Sequence, residues 1–219
     1  MSLSFRTQSN AERDQVCSAV TQYLTGEDQN EVARGLLLTL LQPACEAWQM
    51  KRMEADVLDR ELATAERRLA EAIRDFEVAL QRLSIEIRNA QGDAVMLRDL
   101  VGVSPSRLLS SNLATQLRKA GILREQLRAE DLSCPAPLLT AFDSAVASLS
   151  SSSTARNTAY QARTALSVEL VEAERNLDPA VVAVSKALKA AIGESMTRNI
   201  LPAFVRSSAR KSAETPPAQ

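Results

Sequence analysis

The chain has 219 residues, with 26 Lys and Arg against 27 Asp and Glu, a net charge of −1 and no histidine. Balanced charge gives no overall drive toward nucleic acid or an anionic membrane. The missing histidine removes Ser-His-Asp and Cys-His catalysis, the HExxH zinc site and the Glu-x-x-His pairs of di-iron bundles.

Aromatics make up only 3% of a chain that is 45% hydrophobic, and there are six glycines. A core of Leu, Ala, Val and Ile with few tight turns suits helix packing, so the fold class is all-α.

In chain order, Ser9 and Glu12 form the S-x-x-E capping box, which starts a first helix near Asn10. Val16, Val20 and Tyr23 share one face of it, and Gly26 stops it. Asp28 is placed to cap a second helix carrying Val32, Leu36, Leu37 and Leu40, which Pro43 should break or kink.

From about Ala44 to Val101 the pattern is one long helix. Its seam reads Leu58, Leu62, Ala65, Leu69, Ile73, Phe76, Leu80, Leu83, Ile87, Ala90, Ala94, Leu97, Val101, in steps of three or four. At ~1.5 Å per residue the rod is roughly 85 Å long. The steps over Leu62–Ile73 make one eleven-residue shift; beyond it the seam winds as a left-handed coiled coil. Outside, Arg52/Asp56, Asp56/Arg60, Arg67/Glu71 and Arg82/Glu86 stand four residues apart.

Gly102-Val103-Ser104-Pro105 is a capped corner: Gly ends one helix, Ser caps the next, and Pro takes its first position. The next helix holds Leu109, Leu113 and Leu117 and pauses at Lys119-Ala120-Gly121 before Leu123 and Leu127. Ser133–Pro137 is a further break.

The run Ser150–Thr154 reads either as a loop capped by Thr154 or as a thin part of one helix from Pro137 to Leu177. The stepping passes through it in register, which favours the helix, with a weak middle. Asp178-Pro179 is a cap and first-residue pair for a last helix with Val181, Val184, Leu188, Ile192 and Met196, ended by Pro202. Residues 202–219 read as a disordered basic tail.

Leu97-Arg98-Asp99-Leu100-Val101-Gly102-Val103-Ser104-Pro105-Ser106 resembles the turn of a helix-turn-helix DNA reader. It departs from that pattern at Arg98 and Ser111 and in the length of its first helix. The resemblance, over 97–112, implies that Ser106, Arg107 and Ser110 face DNA, helped by Arg118 and Lys119.

Cys17, Cys45 and Cys134 are odd in number and far apart, which suggests no disulfide framework. Met1–Asn10 is polar, and the longest aliphatic run, Leu36–Leu41, is too short to span a membrane. A soluble cytoplasmic protein follows as the expectation. Leu36–Leu41 also admits a membrane-active alternative.

Trp48, with Met50 and Met53, fits a core that covers the second helix, or alternatively a partner anchor. No residue set suggests catalysis, a cofactor, a metal or a small-molecule substrate.

The reading is an elongated antiparallel helical bundle with N-terminal short helices over 1–43, a bundle over 44–201 and the tail. The long helix outruns any one internal partner, so part of its Leu58–Val101 seam should be exposed. Together with the weak Ser150–Arg163 middle it should bind another protein or a second copy. The expected role is a non-enzymatic scaffold or adaptor, with a DNA-binding regulator as the alternative.

Overall fold

The computed structural model describes residues 3–4, 7, 9–27, 29–91, 97–129 and 134–205. It is an all-α helical bundle. The helices are α1 (Asn10–Thr25), α2 (Glu31–Leu36), α3 (Gln42–Gln91), α4 (Leu97–Val101), α5 (Pro105–Leu109), α6 (Leu113–Ala129), α7 (Ala136–Ile192) and α8 (Glu194–Ile200). Two-residue strands β1 (Leu3–Ser4) and β2 (Phe204–Val205) pair antiparallel, Leu3 with Val205 and Ser4 with Phe204.

The contacts group into two compact units, one made of Met1–Val57 with Thr164–Gln219 and one of Leu58–Arg163. Sequence boundaries at 43 and 202 mark composition and do not bear on this grouping.

In the first unit the capping box forms as expected. Ser9 Oγ accepts from Glu12 N at 3.3 Å, and Glu12 Oε2 accepts from Ser9 N at 2.9 Å. Asn30, rather than Asp28, caps α2: its Oδ1 accepts from Val32 N and Ala33 N, both at 3.1 Å. Asp28 itself lies outside the described residues.

Pro43 does not break the chain's path. A π-helical turn, Leu37–Leu41, joins α2 to α3, and Pro43 is the second residue of α3. Proline lacks an N–H and crowds the turn before it; a wider turn placed there gives the ring room and leaves the helix continuous.

The expected helix start at Asp178-Pro179 is also overturned. The helix α7 runs 57 residues straight through Pro179. The carboxylate of Asp178 is taken by Arg13, whose Nε and Nη2 donate to it at 3.0 and 2.9 Å, and by Thr7 Oγ1. Because the helix is continuous there, Asp178 starts no new helix. The break falls at Gly193, whose φ of 83° only glycine adopts without strain. Leu201 then closes α8 just before Pro202.

In the second unit, residues 58–91 of α3 run antiparallel to residues 136–163 of α7. Asp59 pairs with Arg163, Glu66 with Arg156 at 3.8 Å, and Phe76 with Phe142 at 6.0 Å between ring centroids. Each advance along one helix is thus a retreat along the other. Ser150–Thr154 is helical, as the in-register stepping favoured.

Phe76, Leu80, Leu83, Ile87, Leu123 and Phe142 are central to this unit's core. In the shifted turn Ala72 is buried, while Ile73 is only partly so. The long helix expected over 44–101 is observed as α3 to Gln91 and, from Leu97, as α4; Gly92 and Ala94 lie outside the described residues.

The capped corner is present. Gly102 has a φ of 71°, Ser104 Oγ accepts from Arg107 N at 3.3 Å, and Pro105 opens α5. The pause expected at Lys119–Gly121 occurs instead at Ser110–Asn112. There Ser110 and Ser111 hydroxyls donate to carbonyls three residues back, and Asn112 Oδ1 accepts from Thr115 N at 2.9 Å. Short polar side chains that bond the local backbone end a helix more firmly than one interior glycine does.

Candidate interaction surface

The seam expected to be exposed is mostly spent inside the fold. Ala72, Phe76, Leu80, Leu83 and Ile87 are buried against α6 and α7 residues. The cover comes from several elements at once: Leu97 and Leu100 of α4, Leu108 of α5, Leu123 and Leu127 of α6, and Phe142 and Leu149 of α7. Leu58, Leu62 and Leu69 remain half-buried, and no residue from Ser150 to Arg163 is fully buried. Small seam residues such as Ser152 and Ala159 leave that stretch thinly packed.

The residues grouped at the start of the long helix separate. Trp48 is fully buried; its Nε1 donates to Asp14 Oδ1 at 3.1 Å, and Arg13 lies 5.5 Å over its ring. Met50 and Met53 are 60% and 62% exposed, so the core assignment fails for them. Core residues Leu41, Cys45, Trp48 and Ala55, at steps of four, three and seven, define the inner face at the start of α3. Met50, Met53 and Val57, at steps of three and four, lie on the opposite, outer face.

The turn before α3 exposes apolar residues as well, though Leu38 and Leu40, two residues apart, point to different sides of it. Of the Leu36–Leu41 run, Leu37 and Leu41 enter the core, whereas Leu38 and Leu40 are exposed, as is Val32. No described helix is long and apolar enough to cross a membrane.

The charges around the outer face are of both signs: Arg60, exposed, follows Val57 by three residues, and Glu46 accepts from Gln42 Nε2 at 2.6 Å. Glu46 and Glu54 stand one turn before and after Met50, with Glu31 at the start of the stretch. Lys51 and Arg52 lie on the flanks and are engaged. Lys51 Nζ is 2.6 Å from Glu169 and 3.0 Å from Glu54, and Arg52 is 3.6 Å from Asp56. The two carboxylates raise the Lys51 ammonium above its ordinary range, Glu169 contributing most. Arg34 is exposed as well.

The cysteines gain a relationship that their separation in sequence hid. Cys17 and Cys45 are both buried, in the antiparallel α1–α3 register that sets Asp14 on Trp48. A hydrogen bond to Cys45, then burial, pushes the Cys17 thiol far up. Cys134 is half-buried, and burial raises it as well. Among the described residues, no group of three or more His, Cys, Asp or Glu could hold a metal ion.

At the corner, Ser106, Arg107, Ser110 and Arg118 are exposed, but α5 has only five residues. Lys119 is not turned outward: its Nζ donates to Val101 O at 2.6 Å, satisfying the end of α4. The basic tail expected after Pro202 lies, from residue 206, outside the described residues.

The chain matches no protein-family model, and no curated protein or solved structure is significantly similar to it.

Proposed function

We propose that the chain is a non-enzymatic structural or adaptor subunit that docks another helical protein on the outer face of Val32–Val57. One observation carries this reading. Val32, Leu38, Leu40, Met50, Met53 and Val57 are half of the large apolar side chains exposed among the described residues, and all fall on one short stretch of continuous helix. Isolated exposed apolar residues are ordinary; a concentration in one stretch, with Met50, Met53 and Val57 on one face of α3, marks a contact surface. Met supports it further, since its flexible thioether adapts to a partner's surface.

A cytoplasmic setting belongs to this reading and is supported by the free thiols of Cys17, Cys45 and Cys134.

The test is co-purification from the native source with wild type and with the Met50→Glu, Met53→Glu double variant. Circular dichroism should be unchanged, because both side chains are already in water. A protein retained by wild type and released by the variant is the expected result. Identical retention by both would remove this face from the function.

A further inference from the structure

We infer that Cys17 and Cys45 form a redox-sensitive staple, two facing thiols that close to a disulfide and fix α1 on α3. Both belong to the first unit, and both are buried, with 0% and 3% exposure. Their facing follows from the register of the two helices. At one level Trp48 Nε1 donates to Asp14 Oδ1 at 3.1 Å, and Arg13 lies 5.5 Å over the same ring. Cys17 stands three residues after Asp14 in α1, and Cys45 three residues before Trp48 in α3. Such steps lead to the next turn on the same helix face. One turn further, α1 packs on the π turn Leu37–Leu41, where Val20, Leu37 and Leu41 are buried. The two thiols thus share a level with helix contacts on both sides of it, and Cys45 hydrogen-bonds Cys17 there.

The product suits the place. A disulfide is uncharged, whereas a soft metal would need two thiolates that this apolar contact opposes. The bond would also close a loop over α2 and the π turn, which takes freedom from the unfolded chain.

The oxidant is a small disulfide such as oxidised glutathione. When α1 opens, one cysteine gives its proton to water, and its thiolate attacks the S–S bond. A mixed disulfide forms, and a glutathione thiolate leaves and is protonated. The second cysteine loses its proton in turn and attacks the protein sulfur of the mixed disulfide. The Cys17–Cys45 bond forms as the second glutathione leaves. The pair gives up two electrons and two protons, and the small disulfide becomes two thiols. A reducing thiol pool drives the same steps backward. The helix register makes the second attack intramolecular, so the fold itself favours the closed bond.

The test equilibrates the full chain with reduced and oxidised glutathione over a series of ratios, once folded and once in concentrated urea. Free thiols are then alkylated, and tryptic peptides are read by mass spectrometry. Trypsin cuts after Arg13, Arg34 and Lys51, so the staple joins peptides 14–34 and 35–51, with Cys134 in a third. The Cys17–Cys45 bond should form at least tenfold more favourably in the folded chain than in urea. In the oxidised protein, α1 amides should exchange at least tenfold more slowly than in the reduced one. Equal equilibrium constants in the two states overturn the inference. So do glutathione adducts that never resolve, a bond to Cys134 instead, or α1 exchange that oxidation leaves unchanged.

Discussion

Arg13 and Asp178 form a two-point clamp, Nε and Nη2 on the two carboxylate oxygens, beside the one proline inside α7. Arg13 is buried, bonds Asn10 Oδ1 at 2.9 Å and lies 3.4 Å from Glu174. Its partners raise the guanidinium above even its ordinary value, Asp178 most of all. Cutting a buried pair so that a charge has no counter-ion costs ~3–5 kcal/mol; here Glu174 stays beside Arg13 and lowers that cost. The Asp178 side chain keeps 28% exposure, so water screens part of that. Asp178→Asn should lower stability by about 2 kcal/mol, read as a reduced urea midpoint with an unchanged slope. A change under about 0.5 kcal/mol would show the clamp to be energetically idle.

Pro179 gives a prediction of opposite sign. A helix-interior proline costs about 3 kcal/mol through its missing N–H and its clash with the preceding turn. Pro179→Ala also frees the unfolded chain, which takes back up to about 1 kcal/mol. The variant should therefore be more stable by about 1–2 kcal/mol by the same urea measurement. A loss of stability would show that the ring is needed for packing.

Glycine 121 and glycine 193 should respond in opposite directions to alanine. Gly121 lies inside α6 with no atom within 4 Å of an added Cβ, so Gly121→Ala gains helix propensity of about 1 kcal/mol. Gly193 holds a φ of 83°, and Gly193→Ala should cost about 1 kcal/mol. Thermal melts of the two variants check both signs at once.

Much of this fold was legible where one local interaction decides the backbone. The capping box at Ser9, the corner at Gly102–Pro105 and the stop before Pro202 depend on neighbours within a few residues. The break expected at Pro43 and the readings of Asp178 and Met50 failed. At Pro43 the wider turn just before it has no mark in the sequence. The other two depend on what a distant residue does: the guanidinium of Arg13, and the packing of α1 that takes Trp48 and leaves Met50 outside. The cross-helix pairs Lys51–Glu169, Glu66–Arg156 and Asp59–Arg163 are invisible for the same reason, whereas Arg52–Asp56, four residues apart, was readable. The outer face was hidden because apolar residues in a sequence do not declare which side of a helix is covered.

Thiol chemistry checks the burial of the cysteine pair. The thiolate is the reactive form, and Cys17 is held from it by its bond to Cys45 and by burial. At pH 8, an aromatic disulfide reagent should label the half-buried Cys134 first, and Cys17 and Cys45 only on unfolding. The folded protein should thus show one reactive thiol and the unfolded protein three. Three fast thiols in the folded state would contradict the packing of α1 on α3.

Glu194 supplies the pH prediction. Its hydrogen bond from Arg198, at 2.7 Å, and the charge of Lys189 hold its carboxyl below the ordinary value. A lowered carboxylate contributes stability above the ordinary carboxylate range and loses it as pH falls through the lowered value. The start of α8 should keep this contact at pH 5 and release it only in stronger acid. A carbon-detected NMR titration reads the carboxyl directly, and Arg198→Ala should move it back up. An unmoved Glu194 in that variant would assign the shift elsewhere.

The thin stretch of α7 from Ser150 to Arg163 yields the last prediction. It is hydrogen-bonded as helix, yet no side chain in it is fully buried, whereas Leu149 before it and Leu166 after it are. Its ion pairs to Glu66 and Asp59 are partly exposed and worth at most about 1 kcal/mol each. Local opening there breaks little apolar contact, so its free energy lies well below that of global unfolding. Amides from 152 to 162 should exchange at least tenfold faster than those from 181 to 188, where Val181, Val184 and Leu188 are buried. Ser152→Leu, which places an apolar side chain on the half-buried seam, should slow that exchange and add about 1 kcal/mol of stability. Leu149→Ala, at the edge of the same stretch but in the core, should instead cost about 3 kcal/mol. Uniform exchange along α7 would mean that the helix opens only with the whole fold, and that the small residues of this stretch cost it nothing.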